Sequence, residues 1–158
     1  MILDAQNALA TSQALTATAV GENVIDLSLD RSIGNGEPLG VVFVVEVAAD
    51  QTTGDEDYTF QIEYASSAAQ DADQKTVASV AFESGTPTAP AQNADLLVAG
   101  YQFVLAVPPA SLSVSERYFG IRSVLAGTSP TVTISAYLQP MSQIDSQITH
   151  YAAGYTVS

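Results

Sequence analysis

In the stretch Tyr58-Thr59-Phe60-Gln61-Ile62-Glu63-Tyr64, every large apolar side chain falls on one parity and every polar one on the other. Successive side chains of a β-strand point to opposite faces, so this stretch can bury Tyr58, Phe60, Ile62 and Tyr64 while Thr59, Gln61 and Glu63 meet water. Thr131 to Leu138 repeats the pattern, with Val132, Ile134, Ala136 and Leu138 opposed by Thr131, Thr133, Ser135 and Tyr137. Val24–Leu29, Leu39–Val47, Thr76–Phe82, Tyr101–Val107 and Tyr118–Leu125 are further strand candidates, each rich in β-branched or aromatic residues, and Gln13–Ala17 is a short eighth. Turn chemistry separates them: Gly34-Asn35-Gly36-Glu37-Pro38, Thr53-Gly54-Asp55, Gly85-Thr86-Pro87, Pro108-Pro109 and Gly127-Thr128-Ser129-Pro130.

No long helical pattern lies among these segments, no period repeats, and no linker divides the chain. At 158 residues the chain can bury a core without disulfide or metal staples. The expected fold is all-β: a jelly-roll-like antiparallel β-sandwich of about eight strands over residues 1–138, with an N-terminal arm and a C-terminal extension at 139–158. Gly85 to Ala94 is expected to be a long surface loop.

Two segments depart from simple alternation. In Leu39–Val47 the set Val41, Phe43, Val45 and Val47 is apolar, but so are Val42 and Val44 on the opposite face, which therefore needs cover from the chain's own terminal arm or from another subunit. In the last twenty residues Met141, Ile144, Ile148, Tyr151 and Tyr155 recur at steps of three and four after Pro140, which predicts a short amphipathic helix over 141–153. A helix of that length with little charge is marginal alone, so its stripe is expected to pack on a partner surface. Val42, Val44, Met141, Ile144, Ile148, Tyr151 and Tyr155 are accordingly the candidate interaction residues.

Charge excludes whole classes of partner. With 17 acidic residues against 4 basic ones the formal net charge is −13, which opposes binding to nucleic acid or to anionic membranes. The longest apolar stretch, from Leu39 to Val45, is far short of a membrane span, and the start Met1-Ile2-Leu3-Asp4 shows no signal-peptide pattern. Without cysteine there is no disulfide, thiolate metal site or thiol nucleophile. His150, the only imidazole, sits in the tail, where a triad would have to recruit it, and no phosphate-cradling Gly-rich loop is present. The acidic loops Asp55-Glu56-Asp57, with Asp50 close by, and Asp71 to Asp73 could offer calcium its oxygen ligands, but neither has the full EF-hand spacing, and solvated turns are the plainer reading. Asp26, Glu46 and Glu63 lie on expected strands, where a carboxylate pair for glycoside hydrolysis would have to be built, yet the chain lacks Trp as a sugar platform. No cofactor and no enzymatic activity are expected.

The ordered series Ser12-Gln13-Ala14-Leu15-Thr16, Asn23-Val24-Ile25-Asp26-Leu27, and Gly36-Glu37-Pro38-Leu39 before a Val-rich strand resembles the small capsid cement proteins of tailed bacteriophages. Gly54-Asp55-Glu56-Asp57-Tyr58-Thr59-Phe60-Gln61, Glu116-Arg117-Tyr118, the turn Gly127-Thr128-Ser129-Pro130 and the strand Thr131 to Tyr137 continue the likeness, which covers about residues 1–138. The resemblance implies a jelly-roll protein on the outer surface of a phage head, made in the cytoplasm of the bacterial host. It would bridge and stabilise neighbouring major capsid protein subunits as a homo-oligomer, dimer or trimer, without catalytic residues. The acidity suits a shell facing away from packaged DNA. The alternative is a jelly-roll carbohydrate-binding module displayed on a virion, calcium-dependent if the acidic loops bind metal. Residues 139–158 lie beyond the resemblance.

Overall fold

The alternating segments pair into two sheets. The computed structural model describes residues 5–28, 36–109, 116–144 and 149–151. Its strands are β1 (Ala8–Leu15), β2 (Ala19–Val20), β3 (Ile25–Asp26), β4 (Leu39–Val47), β5 (Asp57–Ala65), β6 (Lys75–Glu83), β7 (Gln92–Asn93), β8 (Gln102–Ala106), β9 (Tyr118–Ala126), β10 (Val132–Pro140) and β11 (Thr149–Tyr151). One sheet has the order β1-β10-β4-β8-β11; the other has β2-β9-β5-β6-β7, with β3 also on β9. The antiparallel pairs β1·β10, β2 and β3·β9, β4·β8 and β5·β6 make up one long hairpin wound into two facing sheets, which is the jelly roll.

The core forms where the inward parities of both sheets meet. Val41, Phe43 and Val45 of β4, Phe103 and Leu105 of β8, and Val132, Ile134 and Ala136 of β10 face Tyr58, Phe60, Ile62 and Tyr64 of β5, all of them buried. Phe103 stacks on Phe43 with centroids 4.9 Å apart and meets Phe60 and Phe82 of the other sheet at 5.3 and 5.2 Å. Tyr58 reaches across as well: its hydroxyl donates to the carbonyls of Asp50 at 2.5 Å and Thr131 at 3.3 Å, and burial pushes its pKa up to about 12.

On the outer face of the second sheet, the β5–β6 turn folds back and is pinned. Arg122 Nε donates to both Glu63 carboxylate oxygens at 3.0 Å, and its Nη2 donates to the Gln70 carbonyl at 2.6 Å. The buried Gln70 amide, oriented to satisfy both neighbours, donates to the Ile121 carbonyl at 3.2 Å and accepts the Gly120 N–H at 3.3 Å.

Three departures from the sequence expectations have local causes. Among the described residues of 141–153 the expected helix is replaced by other structure: Met141–Gln143 is a single 3-10 turn, Ile144 is extended, and Thr149–Tyr151 pair in parallel with Phe103–Leu105. Serine and β-branched residues make that helix weak in isolation, whereas the open edge of β8 supplies backbone partners for a strand. The boundary at Leu138 cuts through β10, which runs to Pro140, and β11 makes part of the extension a member of the sandwich. Val47, expected on the core face, is 59% exposed, because a bulge sets both Glu46 and Val47 against Thr133 and ends the alternation. Ile148 and Tyr155 lie outside the described residues.

The turns at one end interlock through Gly127. Its φ is +95°, and a Cβ there would lie 2.2 Å from the Asp55 carbonyl oxygen. Gly127→Ala is expected to cost about 2 kcal/mol or more, from left-handed strain plus the backbone clash, measured as a lowered urea midpoint with an unchanged m-value.

Candidate interaction surface

The outer face of the first sheet carries the cover that its sequence demanded. Cross-strand register aligns Tyr137, Val42 and Val104 in one row and Ser135, Val44 and Gln102 in the next. Beyond Pro140 the chain turns over this face, where Met141 and Ile144 pack with Val42, Val44 and Val104 in a second apolar cluster separate from the main core. Val42 and Val104 are fully buried there, and Ile144 nearly so. The approach is close enough to require glycine beneath it: a Cβ on Gly40 would stand 2.7 Å from Met141 Sδ and 2.8 Å from Val104 Cγ2. The Met141 N–H donates to the Pro38 carbonyl at 2.8 Å, and Ser142 Oγ donates to Glu37 at 2.5 Å, which tie the crossing to the start of β4.

Four of the seven candidate interaction residues, Val42, Val44, Met141 and Ile144, therefore meet each other within one chain. Tyr151 is placed in β11 opposite Leu105. Val42 is covered by the chain's own terminal segment and is not a free docking surface.

Exposed apolar surface lies elsewhere. Val47, Leu96 and Val98 are 59%, 40% and 53% exposed. Backbone bonds bring their segments together: Ala49 N donates to the Leu97 carbonyl at 2.9 Å, Gly100 N to the Val45 carbonyl at 2.7 Å, and Val45 N to the Tyr101 carbonyl at 2.9 Å. Sequence reasoning missed this group because it placed Val47 in the core. The signal available was the apolar run Leu96-Leu97-Val98 in a segment without strand alternation.

The carboxylates are engaged as hydrogen-bond acceptors. Glu46 is held below its ordinary value of 4.5 chiefly by the Ser12 hydroxyl, which donates at 2.6 Å, and by Ser135. Hydrogen bonds from Thr53 and then Thr128 lower Asp55, and the Thr53 hydroxyl leads in lowering Glu56, which also accepts the Thr53, Gly54 and Asp55 N–H groups at 2.9, 2.9 and 3.2 Å. Asp26 is lowered first by its hydrogen bonds from Arg117. Asp57 moves the other way, pushed up by burial and then by the charges of Glu83, Asp55 and Glu56. Asp71 accepts from Ser67, and Asp73 accepts from Ser66 at 3.2 Å. Asp26, Glu46 and Glu63 each have their own hydroxyl or guanidinium partners. Among the described residues, no group of three or more His, Asp or Glu side chains is arranged to hold a metal ion. No helix among them is long and apolar enough to cross a membrane.

Two wound sheets define a jelly-roll β-sandwich protein. The Bbp16 family matches residues 9–138, from the second residue of β1 to near the end of β10, and the chain belongs to that family. No curated protein matches it.

Ile144→Ala should uncover Val42 and Val104 and lower stability by about 2 kcal/mol, read from urea unfolding. A second expectation concerns acid. Four carboxylates with folded pKa values below 3.8 or 4.5 contribute stability that is present above those values and lost as pH falls through the folded ones, while Asp57 alone acts with the opposite sign. The urea midpoint should therefore hold steady from about pH 7 to about pH 5 and fall below about pH 4, and Glu46→Gln should flatten that fall.

Proposed function

We propose that this chain is a structural protein of a phage virion that binds the outer surface of the head, bridges neighbouring major capsid protein subunits and stabilises the shell, with no catalytic role. The observation that carries this reading is the exposed apolar group Val47, Leu96 and Val98 at one end of the jelly roll. The ordered resemblance to capsid cement proteins supports it, and the family name Bbp16 suggests a phage protein. Self-association into a homo-oligomer belongs to the same proposal.

A net charge of −13 makes attraction to an acidic shell unfavourable, so adhesion to the head would rest on apolar contact and be insensitive to salt. The test adds purified protein to heads lacking it and counts bound copies by sedimentation and gel densitometry. Saturable binding at many copies per head, retained at high salt, is expected. Val47→Glu combined with Val98→Glu should lower head affinity at least tenfold while leaving the urea midpoint unchanged. No binding, or binding released by moderate salt, overturns the reading.

A further inference from the structure

Buried polar atoms that make no hydrogen bond are rare in a folded chain, and each needs a reason. Among the described residues two side chains have such atoms, Ser84 and Gln139. Ser84 lacks a partner for one hydroxyl, whereas Gln139 is 5% exposed and both its Oε1 and its Nε2 are unmet. The amide is the larger unmet demand, and its place in the fold gives it a meaning.

Gln139 stands in β10 opposite Gly40 of β4. Residues directly opposite each other in an antiparallel pair share a face. Gly40 faces outward under the terminal crossing, since the atoms nearest a Cβ there are Met141 Sδ, Val104 Cγ2 and Ile144 Cδ1. The Gln139 amide therefore lies on the covered outer face, beside the apolar cluster that holds Val42, Val104 and Ile144. Burial under that cover suits the valines and leaves the amide without water or a bond.

The cover is short. Met141–Gln143 is one 3-10 turn with Ser142 and Gln143 exposed, tied to the start of β4 by the Met141 N–H on the Pro38 carbonyl and by Ser142 on Glu37. It begins beyond residue 138, where the family match ends, and so lies outside the matched sandwich.

We infer that Met141–Ile144 is a displaceable cover, and that the face beneath it takes an extended, uncharged segment of the head subunit whose main-chain N–H and C=O bond the Gln139 amide. A peptide group offers one donor and one acceptor, which answer the two unmet atoms of a primary amide. Val42 and Val104 on the same face call for apolar side chains, and the net charge of −13 disfavours an acidic segment. The same crossing from a second copy would repeat the present contacts and leave the amide unmet again, so the occupant is a different protein. The inference rests on the head-binding reading and adds a second contact to the one at Val47. Because the partner engages only the uncovered face, holding the cover down must weaken binding.

The chain has no cysteine, so Glu37→Cys with Ser142→Cys places a disulfide where a hydroxyl now ties the cover to β4, with closure checked by free-thiol titration. Heads lacking the protein are titrated with the oxidised and the reduced double variant. The reduced form should bind as the wild type does, and the oxidised form at least tenfold more weakly. Equal binding by both forms overturns the inference, whereas no binding by the wild type overturns the head-binding reading and, with it, the occupant named here. A second variant reports on the free protein without heads. Gln139→Met removes the amide at nearly constant volume, and it should raise the urea midpoint while lowering head affinity at least fivefold. A lowered midpoint means that the amide is bonded in the covered state, as by an internal water, and overturns the inference. A raised midpoint with unchanged head affinity overturns the role given to Gln139.

Discussion

The rest of the core depends on Phe103, which stacks on Phe43 within its own sheet and meets Phe60 and Phe82 across the gap to the other. The two rings are nearly parallel, 6° apart, and sit on residues directly opposite each other in β8 and β4. Phe60 and Phe82 then enter from β5 and β6 against the same ring, so four of the chain's five phenylalanines meet at one point shared by both sheets. Aromatic pairs of this kind contribute about 0.5–1.5 kcal/mol each beyond the area they bury. Their sequence separation means that the contact exists only once the long hairpin has wound, so local pairing and global winding are satisfied together.

Such an acidic chain cannot rest on ion pairs. Its four cations are Arg31, Lys75, Arg117 and Arg122 against 17 carboxylates. The structure solves this with hydroxyls and backbone N–H groups, which satisfy a carboxylate without a counter-charge: Ser12 and Ser135 serve Glu46, Thr53 and Thr128 serve Asp55, and the Thr53–Asp55 turn serves Glu56. A well-shielded ion pair, Glu63 with Arg122, is spent on pinning the β5–β6 turn, where Glu63 is nearly inaccessible and would be costly if left unpaired. The serine and threonine that weaken helices and favour turns are thus also what lets a −13 chain close its loops.

The parts of the fold legible in the sequence were those set by alternation over a full strand. Leu39–Val47 has the same bounds in the structure as in the pattern, and β5 and β9 match the expected stretches to within a residue at each end. What the pattern could not convey depended on tertiary partners. Two-residue strands such as β2 and β7 have no period to read, and β11 exists because the edge of β8 accepts it. The steps of three and four from Met141 onward are a true apolar signal with a different meaning: Ile144 buries from extended backbone against Val104 of β8. The exposed group at Val47 was hidden for a similar reason, since a bulge opposite Thr133 leaves no mark in the sequence of β4 itself.

The terminal crossing also explains how the β8 edge is closed. β10 and β11 run in the same direction, because each is related to β8 by parallel sense, and Met141–Ile144 after β10 lie over the outer face on Val42 and Val104. That crossing covers Val42 and Val104 and delivers the strand that closes the β8 edge, so one segment meets both an apolar and a hydrogen-bonding demand. Among the described residues the opposite sheet has no equivalent segment: the β5–β6 turn folds back over its outer face at Gln70, and β7 touches only the end of β6.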